Sequence, residues 1–377
     1  MKIAIIHDWL TGMRGGEKCL EVFCELFPEA TIFTLIHKKG FVSNEIERMR
    51  IKTSFLQKFP NIEKKYRYLL PLMPKAIEQF DLTGYDLIIS SSHCVAKGVK
   101  IPEGSLHICY CYTPMRYIWD MYELYFGNSS IFVRNAMKII RPHLQKWDIE
   151  SSKNVNYFIA ISEYIKERIK KHYNCNSDVI YPPVNTEFYK STNSEFKNNK
   201  DVYYLIVSSF APYKKIDLAI NAFNKIGYKL KVVGDGQEEK RLKGIANNNI
   251  EFLGWLKNEE LRICYQNCKA LVFPSEEDFG IVPVEAQSMG KPVIAYNKGG
   301  SKETIAENKT GVFFEEQTIE SLIAGIKRFE NLSFDSKEII KQSEKFSEEI
   351  FKNKIKNFVD EKIKIMYNSI PLKNQRY

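Results

Sequence analysis

A short apolar run, followed by two glutamates and a helical pattern, constrains the fold of this chain more than any other feature. Residues 270–273, Ala-Leu-Val-Phe, predict a buried strand of a parallel sheet. Glu277 follows in the strand-to-helix loop, and Glu285, eight positions later, is expected in the first turn of the helix. Ligands bind in such loops of parallel α/β sheets. The two carboxylates and the backbone at Gly280 suit a ligand rich in hydroxyls, and the helix N-terminus suits a phosphate.

The same order of strand, loop and helix recurs along the chain in two separate series. One series begins at residues 2–6 and another at residues 202–207. A length of 377 residues exceeds what one hydrophobic core usually supports, so we expect two α/β domains. The polar stretch 190–200, rich in Lys, Asn and Ser, has the composition of a linker between them.

Composition excludes several classes of protein. Hydrophobic residues make up 44% and charged residues 27% of the chain, as in globular proteins. The sequence has no apolar run of the roughly 18 residues that a membrane-spanning helix requires. The apolar run 3–6 is too short for a signal peptide, so we expect a cytoplasmic protein. The eight cysteines form no C-x-x-C pair, which predicts free thiols and no metal site.

The formal net charge of +9 indicates an anionic partner, which could be nucleic acid, an anionic membrane or a phosphorylated substrate. The chain carries no nucleic-acid-binding motif, so we expect no nucleic acid. Basic and aromatic residues interleave with Leu and Met in 64–75, and basic residues interleave with apolar ones in 132–141. Both segments suit a peripheral contact with an anionic membrane. For 64–75, an irregular helical insert packed on the sheet is the alternative.

The stretch around Glu277 also carries a family resemblance. E-x7-E with Phe279 and Gly280 inside it, followed by the sequences of 290–295 and 299–305, resembles the donor-site motif of family 4 retaining glycosyltransferases. The resemblance covers nearly the whole chain. It implies the GT-B fold, an α/β architecture in which two Rossmann-like domains face a central cleft and the C-terminal helix crosses back to the first domain. The implied parts are an acceptor-side domain, a linker, a nucleotide-sugar-binding domain and the returning helix, at 1–189, 190–200, 201–345 and 346–377.

In the first domain the resemblance singles out a glycine-rich loop and a histidine. Gly15 and Gly16 match a family loop that lies near the donor phosphates and the acceptor. A tight turn with positive φ is the alternative. His93 ends a strand after three serines, where related enzymes place a histidine against a hydroxyl of the transferred sugar and the β-phosphate. A purely structural histidine is the alternative.

Residues 112–117, Tyr-Thr-Pro-Met-Arg-Tyr, resemble the His-Thr-Pro-Met-Arg-Tyr segment of a mannosyltransferase-like branch of the family. Tyr112 stands where that branch usually has histidine. A phenol can hydrogen-bond a sugar, but it cannot act as a base near neutral pH. Arg116 remains a candidate ligand for a phosphate.

In the second domain the resemblance indicates which residues contact the donor diphosphate. Lys214 matches a family lysine on the pyrophosphate, whereas Ser209 occupies the position of a family arginine. Lys215 or Arg14 could supply the missing cation. Gly234 belongs to a turn that matches the Gly-x-Gly of the family.

The same resemblance assigns the remaining donor contacts to the glutamate motif. Glu277 would bind hydroxyls of the sugar, and Glu285 would accept hydrogen bonds from both ribose hydroxyls. Backbone amides would come from Phe279, Gly280 and Ile281.

The implied reaction is retaining transfer of a hexose from a sugar nucleotide, with no cofactor. No Asp-x-Asp, the usual carboxylate motif for a diphosphate-bound metal, occurs in the sequence. We therefore expect Lys214, backbone amides and a helix N-terminus to neutralise the leaving diphosphate without a metal. His93, Glu277 and Lys214 are the predicted catalytic residues. No well-placed carboxylate nucleophile is evident, which favours a front-face route.

The mannosyltransferase-like segment favours GDP-mannose as the donor, and UDP-sugars remain open. The expected acceptor is a lipid-linked or free oligosaccharide for surface polysaccharide, used at the inner face of the plasma membrane. A nucleotide-sugar epimerase or a phosphorylase is an alternative with the same fold. A non-catalytic sugar-nucleotide-binding subunit is the alternative that Tyr112 and Ser209 favour.

Overall fold

Short apolar runs alternating with amphipathic helices build two parallel β-sheets in this chain. The computed structural model describes residues 1–127, 129–190 and 202–369. They divide into an N-terminal unit, residues 1–183 with the described residues from 349 onward, and a C-terminal unit that begins at 184 and ends at 348. The predicted linker 190–200 lies outside the described residues except for Lys190.

The N-terminal unit contains seven parallel strands in the order β3-β2-β1-β4-β5-β6-β7. The strands are β1 (Ile3–His7), β2 (Thr31–Thr34), β3 (Arg50–Thr53), β4 (Leu87–Ser92), β5 (Leu106–Cys111), β6 (Tyr157–Ala160) and β7 (Ser177–Val179). The α-helices are α1 (Gly15–Leu26), α2 (Asn44–Glu47), α3 (Ile62–Lys65), α4 (Met73–Glu78), α5 (Tyr122–Phe126), α6 (Ile131–Ser152) and α7 (Glu163–Tyr173).

The C-terminal unit contains six parallel strands in the order β10-β9-β8-β11-β12-β13. The strands are β8 (Tyr204–Val207), β9 (Leu230–Val233), β10 (Ile250–Gly254), β11 (Ala270–Phe273), β12 (Val293–Tyr296) and β13 (Gly311–Phe314). The α-helices are α8 (Ile216–Ile226), α9 (Glu239–Ile245), α10 (Asn258–Asn267), α11 (Ile281–Ser288), α12 (Ser301–Thr304), α13 (Ile319–Glu330) and α14 (Ser336–Glu344).

Both sheets have the strand order of a Rossmann fold, and each reverses its order at one place. The reversal lies between β1 and β4 in one unit and between β8 and β11 in the other. The loops that follow these strands separate at that point and leave a crevice at the carboxyl edge of the sheet, where ligands bind in such folds. The prediction of two Rossmann-like α/β domains is confirmed.

The last helix, α15 (Glu348–Ser369), packs within the N-terminal unit. The Phe351 ring lies edge-to-face against Phe23, with a centroid distance of 5.4 Å, and against Tyr110, at 5.6 Å. Lys352 forms an ion pair with Glu25 of α1. The predicted return of the C-terminal helix to the first domain is therefore confirmed.

None of the helices formed by the described residues has both the length and the apolar character needed to cross a lipid bilayer.

Replacing Phe351 by alanine should destabilise the N-terminal unit. The ring is buried and fills the space between α1 and β5, and truncating a buried Phe typically costs about 3–5 kcal/mol. Denaturant unfolding measures the loss. Ile365→Ala, at an exposed position of the same helix, should cost little, and equal losses from both variants would contradict the packing described here.

Candidate functional site

The loop after β4 is organised by a buried aspartate that follows β1. The carboxylate of Asp8 accepts hydrogen bonds from four successive backbone N–H groups, those of His93 (2.8 Å), Cys94 (3.0 Å), Val95 (2.7 Å) and Ala96 (2.8 Å). Asp8 is fully buried, so these amides supply the partners that a buried carboxylate requires. β1 and β4 are neighbours at the strand-order reversal, which brings the two loops together.

The same aspartate orients the His93 side chain. Nδ1 of His93 lies 3.1 Å from Oδ2 of Asp8, and Trp9 packs edge-on against the ring at 4.5 Å. Since a carboxylate only accepts, Nδ1 carries the hydrogen and Nε2 is left as an acceptor. Burial lowers the pKa of His93, and the charge of Asp8 opposes this shift without reversing it. At neutral pH, His93 is therefore a neutral hydrogen-bond acceptor whose side chain is 28% exposed.

A chain of hydrogen bonds connects Tyr112 to the glycine-rich loop. The Tyr112 hydroxyl donates to the carbonyl of Gly16 (3.0 Å) and lies 2.9 Å from the Ser91 hydroxyl, which in turn lies 2.9 Å from Nδ1 of His7. Burial raises the pKa of Tyr112 well above its ordinary value, so the phenol stays protonated. Tyr112 thus anchors the start of α1, a role that the sequence did not reveal.

Gly15 and Gly16 form the first residues of α1, so their amides lie at its N-terminus. Neither has a positive φ, so the alternative of a positive-φ turn is wrong. Glu17 closes this helix start by accepting from the Arg14 amide at 3.1 Å. Burial raises the pKa of Glu17, but the nearby imidazoles of His7 and His93 lower it by more, so its pKa lies below the ordinary value and the carboxyl stays ionised at neutral pH. Nε2 of His7 lies 3.9 Å from Oε1 of Glu17.

Arg116 belongs to the same cluster as His93. Its charge is among the influences that lower the pKa of His93. Its segment is held by Arg168 of α7, which donates to Thr113 (2.7 Å) and to Asp120 (2.9 Å). The N-terminal unit therefore brings the predicted Gly16 and His93 together through His7 and Tyr112 and adds Asp8 and Glu17. Arg116 is linked to them by its effect on His93.

In the C-terminal unit, the loops after β8 and β11 meet through Lys214 and Glu277. Lys214 ends a 3₁₀ turn formed by residues 212–214, and its ammonium forms a hydrogen-bonded ion pair with Glu277. Ser275 also donates to Glu277, at 3.1 Å. These loops follow the two strands at the reversal, so two predicted site residues lie together in the crevice of this sheet.

The backbone of the Glu277 loop packs directly on two glycines. Gly300 donates its amide to the Glu277 carbonyl at 2.8 Å. A β-carbon on Gly300 would lie 2.3 Å from the Phe279 Cα, and one on Gly299, where φ is +79°, would lie 2.4 Å from the Glu277 carbonyl oxygen. Only glycine permits this approach.

Helix α11 begins at Ile281, so Glu285 lies beyond its first turn and the prediction that it lies in that turn is wrong. Gly280, at φ +99°, precedes the helix, and Pro283 is tolerated because the first-turn amides have no partner within the helix. Glu285 consequently lies deeper, is only 3% exposed and accepts from the Tyr265 hydroxyl at 2.9 Å.

The remaining predicted donor contacts surround this crevice. The Phe279 side chain is buried against Phe346, with a centroid distance of 5.4 Å, so only its backbone is available to a ligand. Ser209 is exposed after β8. Gly234 has φ +129°, and a β-carbon there would lie 1.8 Å from the Ser208 carbonyl oxygen, so glycine is required where this turn packs on the β8 loop.

Comparisons with known proteins agree with this architecture. A family model described as Glycosyl transferases group 1 matches residues 188–349, and one described as Glycosyltransferase Family 4 matches residues 29–188. An uncharacterized glycosyltransferase of Methanocaldococcus jannaschii is 31% identical over 50% of this chain. The chain spans about half the length of that relative, 52%.

Two further proteins extend the comparison. The O-antigen chain mannosyltransferase RfbU of Salmonella typhimurium is 29% identical over 57% of this chain and 63% of its own. The structure of HepE from Anabaena in complex with UDP superposes with a TM-score of 0.70, covering 96% of this chain and 100% of HepE. At 16% identity, that likeness concerns the fold.

The His93 side chain should titrate below the ordinary histidine pKa of 6.5, because burial disfavours its charged form. NMR titration of the histidine resonances, with His93→Gln for assignment, measures the midpoint. The neutral ring then stabilises the fold above pH 6.5, and this contribution is lost as pH falls through the folded-state value. His143→Gln, at an exposed position of α6, should leave the His93 resonance in place. A midpoint above 6.5 would mean that the charge of Asp8 outweighs burial.

Proposed function

The chain belongs to the family 4 glycosyltransferases of the GT-B fold, with mannosyltransferases among its relatives, and we propose that it moves a hexose from a sugar nucleotide to an oligosaccharide acceptor. The observation that carries this proposal is the pairing of Lys214 with Glu277 in the crevice of the C-terminal sheet. The preferred donor is GDP-mannose, and the preferred acceptor is a lipid-linked or free oligosaccharide of a surface polysaccharide.

The Lys214–Glu277 pair has the chemistry that a sugar diphosphate requires. A carboxylate accepts hydrogen bonds from sugar hydroxyls, and an ammonium pairs with a phosphate. Without a donor, the two groups neutralise each other. In our proposal the diphosphate takes over Lys214, the sugar hydroxyls take over Glu277, and the backbone amides at Gly280 and Ile281 at the start of α11 add donors for the negative charge. Neutralisation by protein groups would make the transfer independent of a metal.

We propose a retaining transfer by a front-face route. The bond between the sugar C1 and the leaving phosphate oxygen breaks, and a bond from C1 to the acceptor oxygen forms on the same face. The acceptor proton passes to the leaving phosphate, so no protein nucleophile is needed. His93, as a neutral acceptor at Nε2, would take a hydrogen bond from a hydroxyl of the transferred sugar.

Two observations bear on the choice of donor. RfbU is a mannosyltransferase by name, which supports GDP-mannose together with the Thr-Pro-Met-Arg-Tyr segment. HepE binds UDP on the same fold, which keeps UDP-sugars as the alternative. A transfer and hydrolysis assay over a panel of GDP- and UDP-sugars separates these donors, and turnover of none of them would favour a non-catalytic binding subunit.

Alanine at the two motif glutamates should separate catalysis from binding. Glu277→Ala should lower turnover by roughly 10- to 100-fold, the effect of losing a hydrogen bond to a charged group, while nucleotide affinity is largely kept. Glu285→Ala should lower nucleotide affinity by roughly tenfold or more. Steady-state kinetics and calorimetric titration with GDP and UDP measure the two effects.

Glu276→Ala is the matched control, because this neighbouring glutamate forms an ion pair with Lys298 and has no proposed contact with the donor. It should retain both turnover and affinity. Wild-type rates in the Glu277 and Glu285 variants would remove the basis of the proposal.

We further propose that the N-terminal unit contacts an anionic membrane peripherally. Tyr68 is 82% exposed and Phe132 is 83% exposed, and Ile139 is exposed as well, beside Arg134 and Lys138. The segment 64–75 has features of both an insert packed on the sheet and an interfacial segment, since some of its apolar side chains are in the core and others face solvent. Exposed apolar and basic side chains together suit the interface of an anionic bilayer.

Phe132→Glu should weaken binding to vesicles that contain anionic lipid by about tenfold, because it removes a large apolar contact and adds a repelled charge. A glutamate suits the first turn of α6, so the helix should persist. Co-sedimentation with anionic and neutral vesicles measures the change. Ile263→Glu, at an exposed site of α10 in the C-terminal unit, should bind like wild type, and unchanged binding by Phe132→Glu would contradict the contact.

A further inference from the structure

A buried carboxylate on α6 connects the loop of His93 to the segment of Arg116. Asp148 is fully buried. Its Oδ1 accepts from the Lys97 ammonium at 2.7 Å, and its Oδ2 accepts from the indole N–H of Trp119 at 2.8 Å. Lys97 lies four positions after His93, and Trp119 lies three positions after Arg116. One side chain of α6 therefore holds both segments.

The Lys97 side of this connection is fully satisfied by α6. The ammonium also donates to the backbone carbonyl of Asp148 at 3.0 Å and to the hydroxyl of Ser151 at 2.8 Å. An ammonium has three donors, so all three have partners on this helix. Gly98 packs on the same helix, since a β-carbon there would lie 2.4 Å from the Trp147 ring. The far end of the His93 loop is thus fixed on α6.

The segment after Arg116 is fixed on the same helix by its backbone. The Ile118 carbonyl accepts from Nε of Arg141 and from Nε2 of Gln145, both at 2.8 Å. The two segments also contact each other, because the Tyr117 hydroxyl donates to Sγ of Cys94. Both segments are therefore held on α6 and against each other.

Stability alone does not explain the buried Lys97–Asp148 ion pair. Burying two charges costs their hydration, and well-packed apolar side chains of similar volume are often as stable. A charged, hydrogen-bonded pair adds direction, because each donor fixes the distance and angle of the segment that carries it. A carboxylate that accepts from two segments thereby sets the position of one relative to the other.

We propose that Asp148, through Lys97 and Trp119, is a positioning residue that keeps His93 and Arg116 at the separation that the transfer reaction requires. The inference rests on the proposed function, in which His93 takes a hydrogen bond from a hydroxyl of the transferred sugar. It further assigns to Arg116 a phosphate of the same substrate. Two groups that act on one substrate must keep their spacing, since a misplacement of about 1 Å can lower a rate by on the order of 100-fold.

The two connections can be cut one at a time. Lys97→Met removes the ammonium and Trp119→Phe removes the indole donor, and each leaves an apolar side chain in place. Each should lower kcat by roughly 10- to 100-fold with the donor that the sugar-nucleotide panel identifies. The double variant should lose about as much as the more affected single variant, because residues that act as a unit are not additive. Steady-state kinetics measures these losses, and losses that multiply would overturn the positioning role.

A neutral variant separates this role from the cost of leaving a buried charge unpaired. Lys97→Met combined with Asp148→Asn removes both charges, and the amide oxygen at position 148 can still accept from the Trp119 indole. Calorimetric titration should give wild-type affinity for GDP and UDP, because the proposed nucleotide contacts belong to the C-terminal unit, whereas kcat should fall as it does in Lys97→Met. The matched control is Tyr110→Phe, which removes a buried 3.1 Å hydrogen bond to the Ile180 carbonyl in the same unit. The control should keep the wild-type kcat, and an equal loss in both variants would mean that stability alone is affected.

His93→Gln shows which proposal fails if these expectations are not met. Wild-type turnover in that variant would mean that the proposed role of His93 is wrong. If His93→Gln loses turnover while Lys97→Met and Trp119→Phe keep it, the proposed function stands and the positioning role is overturned. Thermal unfolding reports whether each variant is folded at the assay temperature, and the neutral variant decides the question should Lys97→Met fail to fold.

Discussion

A parallel sheet whose strand order reverses has one place where the loops from two adjacent strands diverge, and both units of this chain place interacting charged or polar side chains there. In the N-terminal unit the reversal brings the loop containing Asp8 to the loop containing His93. In the C-terminal unit it brings Lys214 to Glu277. The helices that cover the sheets bury the strands on both faces, so the open carboxyl edge is where charged groups can meet a ligand.

The two crevices satisfy their buried charges in different ways. Asp8 is paired with backbone amides, which are fixed in place by the chain. It therefore fixes the shape of the loop after β4 and the tautomer of His93. Glu277 is paired with a flexible lysine side chain, which can exchange it for another partner. The first arrangement suits a rigid support, and the second allows the carboxylate to exchange its partner, as the proposed donor binding requires.

Local sequence patterns were sufficient to predict two α/β domains and the strand, loop and helix around Glu277, because apolar periodicity and glycine placement act over short distances. The Rossmann-like fold and the roles of the other glycines came from the family resemblance. Local patterns did not reveal partners that are far apart in sequence. Asp8 and the amides that it binds are about 85 positions apart, and Tyr112 and Gly16 are 96 apart. Such pairs depend on which strands become neighbours. The depth of Glu285 was misjudged for a local reason, since Gly280 and Pro283 allow the helix to begin earlier than the apolar pattern indicated.

The contact between Gly300 and the Glu277 loop is so close that position 300 has no room for a side chain. A β-carbon at Gly300 would meet backbone atoms, which cannot move aside as a side-chain tip can. A larger residue at position 300 would therefore displace the Glu277 loop itself. In directed evolution of this protein, Gly299 and Gly300 should therefore be kept. Under the proposed function, altered sugar selectivity is better sought at the side chains that line the crevice than in the turn that supports them.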